Sequence, residues 1–314
     1  MESGTVLNNY RKTIIWLITV CMILGLTGCS AEGNGFRNFE QNGKIRVVTT
    51  IYPIYDFVQN IAGDRAEVIN LVPAGTEPHD FELSTGDMRL MEQAEMLVYN
   101  GAGMEHFVPK TLKALSNEEL TVVEAAVEIA PIQAEDGDLD PHTWLSISNA
   151  IRETEKIKDA FVELDGENAE FYEANFTVYK EKLEKLDTVY REELGRLPGD
   201  TIVVAHEAFG YLCQEYGLKQ EAVEGLTADS EPEPAKMREI IDFCREKNIR
   251  VIFFEELDGS KVAEAIARET GAETMVLNPI EGLTAKQQEQ GLDYIGLMEQ
   301  NLTALKRALE VETW

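Results

Sequence analysis

The sequence predicts an α/β protein of two βα lobes with parallel sheets, joined by a single long helix, with a candidate ligand site in the cleft between the lobes. Three observations carry the fold expectation. Short β-branched runs alternate with helical patterns from about residue 45 to 124, strand signals then vanish over 148–194, and the alternation returns from 201 onward. Strands alternating with helices at this spacing imply parallel βα units. Two such lobes leave a cleft between them, a common place for a ligand.

In the first lobe, 45–50 is a β-branched run broken only by Arg46, and a helical pattern over 52–61 stops at Gly63. Residues 66–72 read as a second strand. A helix over 85–94 follows with Ser84 as its cap, and 96–99 is a third strand that stops at Asn100-Gly101. A helix over 105–115 and a strand over 120–124 complete the lobe. Helix formers then dominate, interrupted at Asp165-Gly166. After that break, Phe171, Phe176, Tyr179, Leu183, Leu186, Val189, Tyr190 and Leu194 recur at helical spacing. A helix over about 168–196 is about 40 Å long, more than one small domain requires. Pro198-Gly199 ends it. The second lobe reads as strands at 201–205, 250–254 and 274–277, with helices at 208–216, 234–247, 261–270 and 293–309.

Ahead of the lobes, Arg11 and Lys12 precede a mostly apolar run, 14–26, closed by Leu26-Thr27-Gly28-Cys29. A spanning helix needs about 20 apolar residues. The run is shorter and reads as the core of a signal peptide, 1–28. The Leu-Thr-Gly-Cys string resembles a bacterial lipobox, which makes Cys29 the expected lipid anchor. Two or more acyl chains (palmitate-type) hold a protein firmly at a membrane surface, whereas one binds marginally. Residues 29–43, rich in Gly, Asn, Glu and Ser, read as a flexible tether. The expected division is then an N-terminal βα lobe at 44–165, the linking helix at 166–197 and a C-terminal βα lobe at 198–314.

With 28 Lys and Arg against 57 Asp and Glu, the net charge is −29. So acidic a chain is a poor partner for nucleic acid, whose phosphates require Lys and Arg. It raises the local concentration of cations and also serves solubility. Of four cysteines, Cys21 and Cys29 belong to the leader and the anchor. Cys213 and Cys244 remain, either as a pair or as two buried free thiols.

The informative residues are the four histidines. His79 lies in the loop after the second strand, His142 in a longer loop after the fourth, and His206 at the end of the first strand of the second lobe. All three fall beyond the C-terminal ends of strands, where open α/β sheets place their sites. The fourth, His106, falls within a predicted helix. Neutral imidazole suits zinc, and Pro78 and Pro141 restrict the backbone just before two of the candidate ligands. Taken singly, each histidine is more often a surface or packing residue. No His-Glu-x-x-His or Cys-x-x-Cys motif identifies a zinc enzyme or a zinc finger. Glu255 and Glu256, ending an apolar strand, and Glu281 are the carboxylates that could join the histidines.

Several strings in order resemble the metal-specific solute-binding lipoproteins of ABC importers, in the cluster whose lobes are joined by a long helix. They are Thr49-Thr-Ile-Tyr-Pro-Ile, Glu77-Pro-His-Asp-Phe-Glu, Asn100-Gly101, Asp140-Pro-His-Thr-Trp-Leu, Ala205-His-Glu-Ala-Phe-Gly-Tyr, Ile252-Phe-Phe-Glu and Leu277-Asn-Pro-Ile-Glu-Gly-Leu-Thr. The match is closest to the zinc-uptake branch of Gram-positive bacteria. The resemblance implies ligands at His79, His142, His206 and Glu281, with Zn2+ as the transported cargo. It also implies an ABC permease with its cytoplasmic ATPase as partner, a lipid-anchored place on the extracytoplasmic face of the cell membrane, and a monomer. Glu255 and Glu256 then stand as supports for the site or as lobe contacts.

Three imidazoles with one carboxylate form a tetrahedral zinc set, whereas manganese favours more oxygen ligands. Manganese receptors resembling this cluster carry a carboxylate where His206 stands, so zinc is preferred to manganese. The chain departs from many zinc members in one respect. Its stretch 131–140 holds no histidine but has Glu135, Asp136, Asp138 and Asp140, which argues against a histidine-loop zinc-gathering role. A zinc hydrolase, which needs an open position for water, and a surface adhesin are the readings from other classes.

Overall fold

The computed structural model describes residues 37–134, 137–226, 234–257 and 259–310. The expected signal segment 1–28, Cys29, most of the expected tether, Glu135 and Asp136 lie outside the described residues. Among the described residues no helix is long and apolar enough to cross a membrane.

The first lobe carries a four-stranded parallel sheet in the order β2-β1-β3-β4. Its strands are β1 (Ile45–Thr49), β2 (Ala66–Asn70), β3 (Met96–Tyr99) and β4 (Thr121–Glu124). Between them run α1 (Tyr52–Ala62), α2 (Thr85–Gln93) and α3 (Val108–Leu112). Proline in the first turn of α1 takes a position that has no intrahelical N–H bond to lose. Ser84 caps α2 as expected and forms a reciprocal capping box with Asp87.

Helices α4 (Ile147–Leu164) and α5 (Ala169–Leu194) follow. With 26 residues, α5 is about 39 Å long. Tyr172, Tyr179, Leu183, Leu186, Tyr190 and Leu194 are its buried positions. Spacings of three, four and seven residues place them on one stripe, which packs on α1, α4 and the C-terminal helix. The second lobe repeats the first, with order β6-β5-β7-β8 and all strands parallel. Its elements are β5 (Thr201–Val204), α6 (Gly210–Tyr216), β6 (Lys219–Ala222), α7 (Pro234–Lys247), β7 (Val251–Phe254), α8 (Lys261–Thr270), β8 (Glu273–Val276), α9 (Ala285–Glu289) and α10 (Tyr294–Leu309). One hydrophobic core runs through both lobes from Val47 to Leu309 and includes the buried stripe of α5.

Three expectations change. α3 spans Val108–Leu112 rather than 105–115, so His106 lies in an exposed turn before the helix. The reason is Glu105, whose buried carboxylate accepts the backbone N–H groups of Asn100 and Gly101 at 2.9 Å and therefore belongs to the turn. β6 was not visible because Lys-Gln-Glu-Ala has no apolar run; it forms by pairing along β5. α9 is a short helix with the Thr284/Gln287 capping box as its signature. Cys213 and Cys244 are both buried free thiols, with burial pushing Cys213 up to about 12 and Cys244 up to about 11.

Candidate metal centre

Each sheet has β1 or β5 as an inner strand from which the chain moves first to one side and then to the other. That reversal opens a crevice beyond the C-terminal strand ends. His79 enters from the segment after β2, and His142 from the loop that leads into α4. His206 follows β5, and Glu281 follows β8. Their side chains converge: the four donor atoms lie within 4.8 Å of one another. His206 and Glu281 are 1 % exposed and His142 is fully buried.

The separations fit a four-coordinate ion. Tetrahedral geometry sets donor–donor distances at about 1.63 times the bond length, or about 3.3–3.4 Å for zinc–nitrogen bonds of about 2.0–2.1 Å. His79 Nε2 lies 3.3 Å from His142 Nε2 and 3.3 Å from Glu281 Oε1, and His206 Nε2 lies 3.4 Å from His142 Nε2. The pairs of Glu281 Oε1 with His142 Nε2 at 2.7 Å and with His206 Nε2 at 3.8 Å bracket that edge. Glu281 Oε2 is buried without a hydrogen-bond partner among the described residues, which suits a carboxylate made to face a cation.

The backbone behind Glu281 is held from several sides. Ile280 has φ +63°, a left-handed conformation that is an outlier for a β-branched residue. The Asn278 side chain accepts the Ile280 N–H at 2.7 Å, and the Trp144 indole N–H donates to the Pro279 carbonyl at 2.7 Å. The Tyr52 N–H, at the start of α1, donates to the Glu281 carbonyl at 3.2 Å. Although Glu281 belongs to the second lobe by sequence, its main chain is tied to the first.

Carboxylates set the electrostatics. Asp140 Oδ1 accepts the His142 main-chain N–H at 2.9 Å and lies 2.8 Å from Nδ1 of the same ring. Burial alone would lower the His142 pKa, but Asp140 and Glu281 outweigh it and raise it to about 10. Burial likewise opposes the rise at His206, where Glu255 and Glu281 prevail. Burial would raise Glu281, yet His142 and His79 hold its carboxyl well below the usual carboxylate range.

The structure therefore brings His79, His142, His206 and Glu281 together and leaves His106 outside. Glu255 reaches His206, while Glu256 is exposed and accepts a hydrogen bond from Gln287. Asp140 as the partner of His142 was missed. Its signal was the Asp-x-His spacing, which lets an Asp side chain accept the N–H two residues on.

The comparisons with known proteins point the same way. The family model described as "Zinc-uptake complex component A periplasmic" (ZnuA) matches residues 47–308. The high-affinity zinc uptake system protein ZnuA of Bacillus subtilis (strain 168) is 36 % identical over 313 residues, 95 % of this chain and 98 % of that protein. The zinc-binding lipoprotein AdcA of Streptococcus pneumoniae (strain R6) is 35 % identical over 96 % of this chain, which spans only 62 % of AdcA. The crystal structure of the Zn(II)-bound ZnuA-like domain of Streptococcus pneumoniae AdcA superposes with a TM-score of 0.78 at 38 % identity, covering 86 % of this chain and all of that one.

Proposed function

From a chain that belongs to the ZnuA family of zinc-uptake components, we propose a receptor that captures Zn2+ with His79, His142, His206 and Glu281. It presents the ion outside the cytoplasm to an ABC permease driven by its ATPase. The observation that carries this reading is the convergence of three imidazole nitrogens and one carboxylate oxygen within 4.8 Å, with three of the pairs at the tetrahedral edge distance. Four protein ligands fill the coordination sphere, so the ion is cargo and no position is kept open for a hydrolytic water. The donor set also favours zinc over manganese. Acylation of Cys29 would hold the monomer at the surface of a Gram-positive cell, with residues 29–43 as its tether.

The test is metal titration of the mature chain against a chromophoric chelator, with manganese as competitor. His206→Ala should weaken zinc binding by about 100-fold, on the order of a quarter of the free energy of a four-ligand zinc site. His106→Ala should leave it unchanged. Equal affinities for the two variants, or a stronger hold on manganese, would sink the assignment.

Zinc capture is also proton release. Free histidine titrates near about 6.5, but His142 is raised to about 10, so the metal-free site keeps its proton at neutral pH. A pKa raised in the folded state contributes stability that is full below about 6.5 and disappears as pH rises through about 10. Zinc needs the lone pair, so it must displace that proton, and affinity must fall as pH falls. Calorimetric titrations in buffers of different ionisation heat should show at least one proton released per zinc near pH 7. A slope of zero would contradict the protonated site.

A further inference from the structure

A parallel register brings the residue just after β7 to the candidate metal site. β5 and β7 pair with Val203 opposite Ile252. Three residues further along each chain segment, just past the strand ends, stand His206 and Glu255. Glu255 Oε1 is in direct contact with His206 Nδ1, the ring nitrogen that faces away from the other ligands. Glu255 is 3 % exposed, and its own carbonyl accepts the Gly259 N–H at 3.0 Å, which holds its main chain.

A buried carboxylate at a strand end is costly unless a polar group answers it. Its neighbour Glu256 shows the ordinary alternative, since it is exposed and hydrogen-bonds to Gln287. We propose that Glu255 is the positioning residue for His206. It holds the ring proton on Nδ1, so that the Nε2 lone pair faces the metal.

The choice of tautomer is a real one here. A neutral imidazole has one N–H, and His206 lies between two carboxylates. With the proton on Nε2, the ring could donate towards Glu281 Oε1, 3.8 Å away, and would present no lone pair to zinc. The closer contact, from Nδ1 to Glu255, opposes that state. Asp140 does the same for His142 from within its own loop, at 2.8 Å. Each lobe thus supplies one histidine with its own carboxylate. This inference rests on the ligand set proposed above and adds the group that orients one member of it.

The experiment uses the mature chain with zinc as the probe. Glu255→Ala should lose about 10–100-fold in zinc affinity, the usual effect of removing a group that orients a metal-bound histidine. Glu256→Gln should match the parent. Long-range proton–nitrogen spectra of the zinc-loaded parent should show His206 bound through Nε2 with a downfield Nδ1–H, a signal that Glu255→Ala loses. A purely structural role would lower the melting temperature without changing that ring signal. Glu255→Gln, whose amide oxygen can still accept, should keep the tautomer and fall between parent and alanine in affinity; it decides the matter if the alanine variant fails to fold. Parental affinity in either variant, or the downfield Nδ1–H persisting in Glu255→Ala, overturns the proposal. Loss of affinity in His206→Ala without loss at Glu255 refutes the positioning role alone, whereas no loss in His206→Ala refutes the ligand set.

Discussion

Glu281→Gln should lower zinc affinity by about two to three orders of magnitude while the metal-free chain stays folded. The reasoning starts from position. Glu281 Oε1 lies 2.7 Å from His142 Nε2, 3.3 Å from His79 Nε2 and 3.8 Å from His206 Nε2, so it meets every other ligand. It is also the only anion among the four. Structural zinc sites bind with about 10–16 kcal/mol in total, so one ligand of four is worth roughly 3–4 kcal/mol. At about 1.4 kcal/mol per tenfold, that is the stated loss. One effect works the other way: without Glu281, His142 holds its proton less firmly, which eases metal entry at low pH. The predicted loss should therefore be smaller at pH 6 than at pH 8, which chelator competition at the two values would measure. Parental affinity in this variant would remove Glu281 from the ligand set. It would also leave a three-histidine site open to water, and with it the hydrolase reading.

A second large effect concerns stability. Glu153 on α4 is fully buried, and neither of its carboxyl oxygens has a hydrogen-bond partner among the described residues. Burial, reinforced by Glu105, outweighs the relief from nearby Thr143 and pushes this carboxyl up to about 8. The group is thus neutral in the fold and ionised in the unfolded chain at neutral pH. For an acid raised in this way, the cost to stability begins near the unfolded value of about 4.3, grows with pH, and levels off above about 8. Near pH 7 it amounts to roughly 3–4 kcal/mol. Glu153→Gln keeps the shape and removes the titration. Thermal or denaturant unfolding should find it more stable than the parent by a few kcal/mol at pH 7 and nearly equal at pH 4. A variant less stable than the parent at pH 7 would show that the carboxyl is ionised and bonded in solution.

Much of the architecture was legible because its signals are local and strong. β3, α7 and α8 fall on their predicted residues, since a short apolar run or a periodic stripe fixes each one. The long helix came within about two residues at either end because its tyrosines and leucines repeat at helical spacing. Three of the four candidate metal residues could be found as histidines beyond strand ends. What was not legible depends on contacts distant in the chain. β6 exists because β5 offers it an edge. α3 lost its first turn to Glu105, whose carboxylate holds the backbone of Asn100 and Gly101. Choosing among Glu255, Glu256 and Glu281 from the residues alone was not possible, for all three follow strands of the second lobe. Register and loop path decide it: Glu255 is aligned with His206, Glu256 points to Gln287, and Glu281 is carried across the cleft.

That last path bears on how the site can be altered. Ile280, with φ +63°, is buried among apolar neighbours and immediately precedes the candidate carboxylate ligand. Elsewhere in the core, the best replacement for an isoleucine is another aliphatic side chain of similar volume. At this position backbone and side chain make opposite demands, because glycine or asparagine would relax the main chain and isoleucine fills the space. A substitution can therefore satisfy one requirement only by violating the other. Variation that retunes the receptor should accumulate around residue 280 rather than at it, and the segment Asn278–Glu281 should be inherited as a unit.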